Sequence, residues 1–425
     1  MLTFTLCASS LATANGNSAD MRIVHILHEI PTPPNSGVRC DMWRRLKGFS
    51  ALGHEVFAIA WMNANEQADD AAVAELRSHT AKTVILPIGA DWQARLRRLR
   101  NTLTVPFYAA ARLPEAKVEQ DVFANVAAFD PDVIWMEGVH TAAFGLRLRR
   151  HCRGFLVYRS HNVEHLYLAE QARLSRAVKQ RLALTVGTVG LKHFEGRVVR
   201  SADQVFDISE TDASFWRSEG VANAQCLMPQ MEANGPRATG QSEDKRYDLL
   251  YLGGLSSPNN IAGLNWFLDE VLPQMRSNMP AIRVAICGRS PVRSLINRCR
   301  ENGVDMIIDP VDAMQTLESA RILMNPILHG SGVNIKTIDM LATGLPVITT
   351  SKGARGLPPE IQDILLIADS PNDFAGRVIA CFAPPQQART AEDGVLADRR
   401  LLLESVFGVR ALARALESLK HGQGE

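Results

Sequence analysis

The chain has 425 residues, 46% of them hydrophobic, which is enough for two sizeable cores and too long for one ordinary α/β domain. Lys+Arg 46 against Asp+Glu 45 leaves a net charge of +1, so nothing in the balance calls for nucleic acid or an acidic polymer, and any basic function must be local. The 7 cysteines are scattered without a Cys-x-x-Cys pair or a zinc-finger histidine spacing, and no run approaches the ~18 apolar residues of a membrane span, so a reduced, cytoplasmic or peripheral protein without a structural metal is expected.

Residues 1–20 start apolar but lack a basic segment, and they are expected to be a disordered tail, because Met21-Arg-Ile-Val-His-Ile reads as a first strand. Strand Ile23–Leu27, a Pro/Gly loop holding Ser36, Gly37 and Arg39, a helix from Cys40 to Leu52 and a strand Val56–Trp61 make a βαβ unit. Thr83–Pro87 reads as a third strand. Between Asp91 and Asn101, Arg95, Arg97, Arg98 and Arg100 are interleaved with Trp92, Leu96 and Leu99. Such a segment is either a solvated helix face or a contact for an anionic leaflet, where each cation adds about 1 kcal/mol. Asp130-Pro-Asp132 spells an acid pair but sits before a strand, where it is turn chemistry rather than a metal site. Glu137 and His140 follow that strand, and His161, Asn162 and Glu164 follow the next, Phe155 to Ser160. Ligands of open parallel sheets bind outside such carboxyl ends. Ala202–Ile208 closes the first domain's strands, Cys226–Pro229 is a short further strand, and the polar stretch 230–246 is the expected linker.

The second half opens with Tyr247–Leu252 running into Gly253-Gly254, and Arg283–Cys287 ends in Gly288-Arg289. A third strand is expected at Met306–Ile308 and a fourth at Ile322–Pro326. Then comes His329-Gly330-Ser331-Gly332, a helix from Val333 to Ala342 carrying Lys336 and Asp339, and Gly344-x-Pro346 before a strand at Val347–Thr350. A loop of small residues feeding a helix N-terminus leaves backbone N–H groups free and aims the positive end of the dipole at an anion, a phosphate included. Plain helix capping is the simpler use of the same residues. Ile364–Ala368 is one more strand, and helices over Asp393–Lys420 end the chain.

The ordered set Gly330, Gly332, Asp339, Gly344, Pro346, Val347, Gly353 and Gly356 resembles the donor segment of the retaining, family 4 glycosyltransferases with the GT-B architecture. The resemblance runs over most of the chain and implies an α/β fold of two Rossmann-like domains facing each other across a cleft. Residues 21–229 would form the acceptor domain and 247–404 the donor domain, with 405–425 a helix crossing back. It implies a metal-independent hexosyl transfer from a nucleotide-diphosphate sugar to a glycan or lipid-linked acceptor, in cell-surface polysaccharide synthesis at the inner face of the membrane, without a cofactor beyond the donor. Asp339 would hold the ribose, Ser331 and Gly332 would lie along the diphosphate and sugar, and Ser36, Gly37 and Arg39 would approach the phosphates. His161 would face the transferred sugar, with Glu137, His140, Asn162 and Glu164 on the acceptor side. Three positions depart from the pattern: Ser331 replaces the first acid, and Gly254 and Asn259 stand where an Arg and a Lys clamp the diphosphate. Lys336, Arg289 and Lys352 are the substitute cations, Lys336 the one placed for catalysis. The departures keep a non-catalytic nucleotide-binding homologue and a sugar-nucleotide epimerase of the same architecture as rivals; a dehydrogenase is poorer, because no Gly-x-Gly-x-x-Gly follows the first strand.

Overall fold

The computed structural model describes residues 20–63, 69–174, 178–232, 245–330, 332–382 and 392–421. The expected tail, most of the expected linker and Ser331 lie outside the described residues.

Two all-parallel sheets organise the chain. The first has strands β1 (Arg22–Leu27), β2 (Glu55–Asn63), β3 (Lys82–Ile88), β4 (Val133–Glu137), β5 (Phe155–Ser160), β6 (Gln204–Asp207) and β7 (Ala224–Cys226) in the order β3-β2-β1-β4-β5-β6-β7. The second has β8 (Tyr247–Leu252), β9 (Val284–Gly288), β10 (Asp305–Ile308), β11 (Ala320–Asn325), β12 (Val347–Thr349) and β13 (Leu366–Ile367) in the order β10-β9-β8-β11-β12-β13. Central strands such as β4, Val-Ile-Trp-Met-Glu, are buried at every position, because helices cover both faces of a parallel sheet. This is why the strands read as continuous apolar runs. In both sheets the order reverses beside the first strand, β1 against β4 and β8 against β11, and such a reversal opens a crevice at the carboxyl ends.

The helices that matter below are α1 (Gly37–Ala51), α2 (Trp92–Asn101), α3 (Phe107–Ala110), α4 (Gly138–Leu148), α5 (Glu164–Leu174), α6 (Val178–Gly187), α7 (Leu191–Ser201), α8 (Ile335–Ala342), α9 (Glu392–Phe407) and α10 (Val409–His421). Ser36 caps α1, its Oγ accepting from the Arg39 amide. Leu403 and Phe407 of α9 pack into the second domain. After Gly408, Leu412, Leu416 and Leu419 of α10, spaced to share one helical face, pack with Met42, Leu46 and Phe49 of the first. The return therefore begins at Val409 rather than at Ser405, and three buried leucines at roughly 1.5–3 kcal/mol each fasten it.

Two smaller differences have local causes. The strand expected at Cys226–Pro229 ends at Cys226, where Pro229 cannot continue a ladder. The helix expected from Val333 starts at Ile335, because Gly332 takes a φ of 76° and turns the chain just before it.

Candidate functional site

A cleft of about 720 Å³ lies between the domains, at the carboxyl ends of both sheets. From the second domain it is lined by Gly253, Gly254, Asn259, Asn260, Arg289, Gly330, Gly332, Lys336, Asp339 and Lys352, and from the first by Ser36, Gly37, Asp41, His161 and Asn162. The glycine turn faces the other domain at close range: a Cβ at Gly332 would stand 2.8 Å from Asn162 Oδ1. Gly37 opposes the same helix start, since a Cβ there would lie 3.6 Å from Ile335 Cδ1. Asn334, at the N-cap of α8, makes no side-chain bond to the first-turn amides, which leaves that helix end open to an acceptor.

Lys336 is the second residue of α8. Its Nζ donates to Asn260 Oδ1 at 2.8 Å and to Tyr251 Oη at 3.0 Å, and sits 4.9 Å from the centre of the Tyr251 ring. Both acceptors are neutral, burial holding the Tyr251 hydroxyl protonated. Among the described residues no carboxylate pairs with this ammonium. Burial accordingly pulls the lysine pKa down to about 7. Gly253 makes room for it, because a Cβ there would be 2.9 Å from Lys336 Cδ and 2.5 Å from Tyr251 Oη.

Asp339 lies deeper. Arg44 Nη1 of α1 reaches it across the domain boundary at 2.7 Å, and the same guanidinium bonds the Gln230 carbonyl at 3.1 Å and Glu232 at 3.2 Å. Burial pushes the Asp339 carboxyl up and Arg44 opposes that. The aspartate expected to wait for a ribose is thus already engaged by an arginine.

On the first domain's side His161 stands on a buried ionic network. Glu137 Oε2 accepts from His161 Nε2 at 2.9 Å, while Oε1 accepts from His25 Nε2 at 2.8 Å, Arg45 Nε at 2.9 Å and Trp135 Nε1 at 3.0 Å. Asp41 Oδ2 takes Arg45 Nη2 at 2.6 Å and Arg159 Nη2 at 3.1 Å, and lies 3.5 Å from His161 Nε2. Burial alone would raise the Glu137 pKa, but Arg45, His161 and His25 hold it well below the carboxylate range. An ionised carboxylate only accepts, so Nε2 of His161 carries a proton toward Glu137. Gly138, at φ 71°, keeps its Cβ position 3.5 Å from His161 Nδ1. Asp41, Glu137 and His161 have the mutual spacing of a cation site, yet Arg45 and Arg159 already balance both carboxylates, and a divalent ion there would face two guanidinium groups.

Several expected residues stand elsewhere. Glu137 does not face an acceptor: it has no exposed surface, because its four donors require it inside. His140 stacks on His28 with ring centres 5.3 Å apart and touches Tyr108 rather than lining the cleft; burial lowers its pKa well below the ordinary value. Arg39 turns to Glu29 at 2.6 Å, and His28 and Arg39 hold that carboxyl down at about 2 against burial. Glu164 opens α5 away from the cleft lining, where burial and then Glu195 push its pKa up to about 7. Asp130 and Asp132 bond Arg22 at the amino end of the sheet, opposite the cleft. Sequence reasoning missed Asp41, Arg44, Arg45, Arg159, Tyr251 and Asn260. The one available signal was the acid and base at Asp41 and Arg45, four apart on the face that also carries Met42, Leu46 and Phe49.

Comparison with known proteins adds three findings. Residues 246–383 match the family model for glycosyl transferases group 1. A Klebsiella pneumoniae protein described as an uncharacterized 44.6 kDa protein in the cps region is 23% identical over 366 residues, covering 84% of this chain and 90% of its own. Among solved structures, Anabaena Alr3699/HepE in complex with UDP and glucose superposes with a TM-score of 0.60 at 14% identity, covering 94% of this chain and 100% of that one. TarM gives 0.61 at 9% identity over 95% and 99% of the two chains, and sucrose-phosphate synthase from Thermosynechococcus elongatus 0.60 at 16% over 94% and 98%. The chain therefore has the α/β, two-domain GT-B fold, and its second domain is similar to the glycosyl transferases of group 1.

Proposed function

We propose that this protein is a retaining, metal-independent glycosyltransferase that moves a hexose from a nucleotide-diphosphate sugar to a glycan or lipid-linked acceptor, in cell-surface polysaccharide synthesis at the inner face of the cell membrane. One observation carries the reading: Gly330, Gly332, the open end of α8 and Lys336, which among the described residues has no carboxylate partner, face His161 and Asn162 across a single cleft. The group 1 match over the donor domain, a neighbour solved with UDP and glucose, and a relative from a cps region support it.

The diphosphate lies against the first turn of α8 and Lys336, so the negative charge that develops as the sugar–oxygen bond breaks meets a fixed dipole and an ammonium held without a counter-ion. The acceptor hydroxyl attacks the same face, and its proton passes to the leaving phosphate oxygen, so the protein supplies no base. His161, oriented by Glu137, bonds a donor-sugar hydroxyl and fixes the ring. Closure of the cleft keeps water from competing as acceptor.

A thermal-shift screen of nucleoside diphosphates and sugar nucleotides, followed by a turnover assay on the best ligand, tests this reading. Binding without turnover supports the non-catalytic rival, and conversion of the donor sugar without an acceptor supports the epimerase. His161→Ala is expected to bind the nucleotide as the parent does and to lose transfer by about 10²-fold, the scale of a misplaced reacting group. Equal transfer by the two proteins removes His161 from the site.

A pH effect follows from Lys336. Its pKa in the free protein is about 7, and a diphosphate beside it favours the charged form and raises that value. Below pH 7 the lysine is already charged and contributes no pH dependence. Above it, binding takes up a proton, and affinity for the nucleoside diphosphate falls by up to about tenfold per pH unit until the pKa of the complex is reached. Calorimetry from pH 6 to 9 should show that slope in the parent and its loss in Lys336→Met.

A further inference from the structure

Two helices of the first domain turn their apolar faces outward. In α2 and the turn that continues it, Trp92, Leu96, Leu99 and Leu103 recur at the spacing of one helical face, and they are 69%, 60%, 67% and 84% exposed. In α6 and the turn after it, Val178, Leu182, Val186 and Val189 do the same, at 70%, 63%, 63% and 73%. Single exposed apolar residues are ordinary, but two complete stripes facing water are not.

The stripes belong to one surface. Gly187 of α6 lies on Tyr108 of α3, where a Cβ would come within 2.9 Å of the Tyr108 hydroxyl, and Arg197 of α7 donates to the Thr104 carbonyl at 3.4 Å, just past α2. Phe107, half exposed, continues the apolar ridge between them, with the Arg98 guanidinium 5.5 Å from its ring centre. Neither helix span contains an acidic residue, although Asp91 caps α2 and Glu115 pairs with Arg97, while Arg95 and Arg100 of α2 and Lys179 and Arg181 of α6 are exposed.

We infer that this face docks on an anionic phospholipid bilayer, with both apolar stripes entering the interface and the flanking cations over the headgroups. Charge complementarity selects that occupant: an apolar ridge with cations on both helices matches a surface that is apolar inside and negative outside. Among the described residues no helix is long and apolar enough to cross a membrane, so attachment by this face lies in the plane of the leaflet. The location also has a consequence for access. Tyr108 touches His140 at 5.6 Å between ring centres, His140 stacks on His28, and His28 lies 6.1 Å from His161, so the docking face runs to the first domain's wall of the cleft. The inference stands independently of the transfer reaction, because bilayer binding is measured without donor.

The test is co-sedimentation of the full chain with sucrose-loaded vesicles of phosphatidylcholine alone or mixed with phosphatidylglycerol, at low and high salt. The parent is expected to pellet with the phosphatidylglycerol vesicles only, and less at high salt. Arg95→Glu/Arg100→Glu should lower the partition coefficient by at least about thirtyfold, the loss of two surface cations. Leu182→Ser/Val186→Ser should lower it severalfold while leaving the melting temperature unchanged, because both side chains are already in water. Parent protein that stays in the supernatant with the anionic vesicles overturns the inference, as does pelleting that neither pair of substitutions reduces. A parent dimer in analytical ultracentrifugation that Leu182→Ser/Val186→Ser makes monomeric, without changing vesicle binding, assigns the face to a second copy of this chain instead.

Discussion

Lys336→Met is expected to reduce turnover of the sugar nucleotide by about 10²–10³-fold, the usual effect of removing one fixed group that stabilises transition-state charge. The effect should fall on kcat more than on KM. The phosphates of the bound donor already carry charge that α8 can meet, whereas the additional charge on the leaving oxygen arises only as the bond breaks. Lys336 is suited to that moment because its surroundings supply geometry without neutralisation: Tyr251 and Asn260 fix Nζ, and neither cancels its charge. A single-turnover assay at saturating donor is the measurement. A Lys336→Met protein that keeps the parent's kcat shows that the diphosphate leaves without this ammonium.

Glu137→Ala should cost about 3–5 kcal/mol of stability, the scale for breaking a buried charged pair from one side. Arg45 would keep one carboxylate, Asp41, but lose the bond to its Nε, and His25 and Trp135 would lose their acceptor inside the sheet. At roughly 2–4 °C per kcal/mol for a domain of this size, the melting temperature should drop by about 10 °C. Glu137→Gln keeps the shape and removes the charge, so it should recover much of the stability while releasing the His161 tautomer, since an amide can donate as well as accept. Calorimetric melts of the three proteins, read beside their transfer rates, separate the structural share of Glu137 from its hold on His161. A Glu137→Ala protein that melts with the parent would show that Arg45 and His25 have other partners.

The fold was legible in the sequence because parallel strands covered on both faces read as plain apolar runs, and their spacing with intervening helices admits little else. The glycines were legible for a related reason: Gly253 and Gly332 stand where a side chain would strike Lys336 or Asn162, and such positions leave a mark in the order of residues even when the contact partner is distant. Polar residues at strand ends were harder. Both His161 and Glu137 follow a strand, yet one lines the cleft and the other is enclosed, and the difference lies in Arg45 and His25, which reach Glu137 from other elements. Inside α1 the i,i+4 spacing of Asp41 and Arg45 on an apolar face was a signal, but their partner Arg159 arrives from β5, which spacing along α1 cannot show. The outward apolar face of α6 escaped notice because Val178, Leu182 and Val186 have the periodicity of a core helix, and periodicity does not say which side is wet.

The grip of Arg44 on Asp339 sets a condition on any ligand that uses this aspartate. Arg44 Nη1 occupies Oδ1 of Asp339 at 2.7 Å, so a hydroxyl pair that bridges both carboxylate oxygens has to share Oδ1 with the guanidinium, which also holds Glu232 and the Gln230 carbonyl. One guanidinium thus joins the floor of the cleft to the first helix of the other domain, and a ligand seated on Asp339 touches the same carboxylate that ties the two domains together.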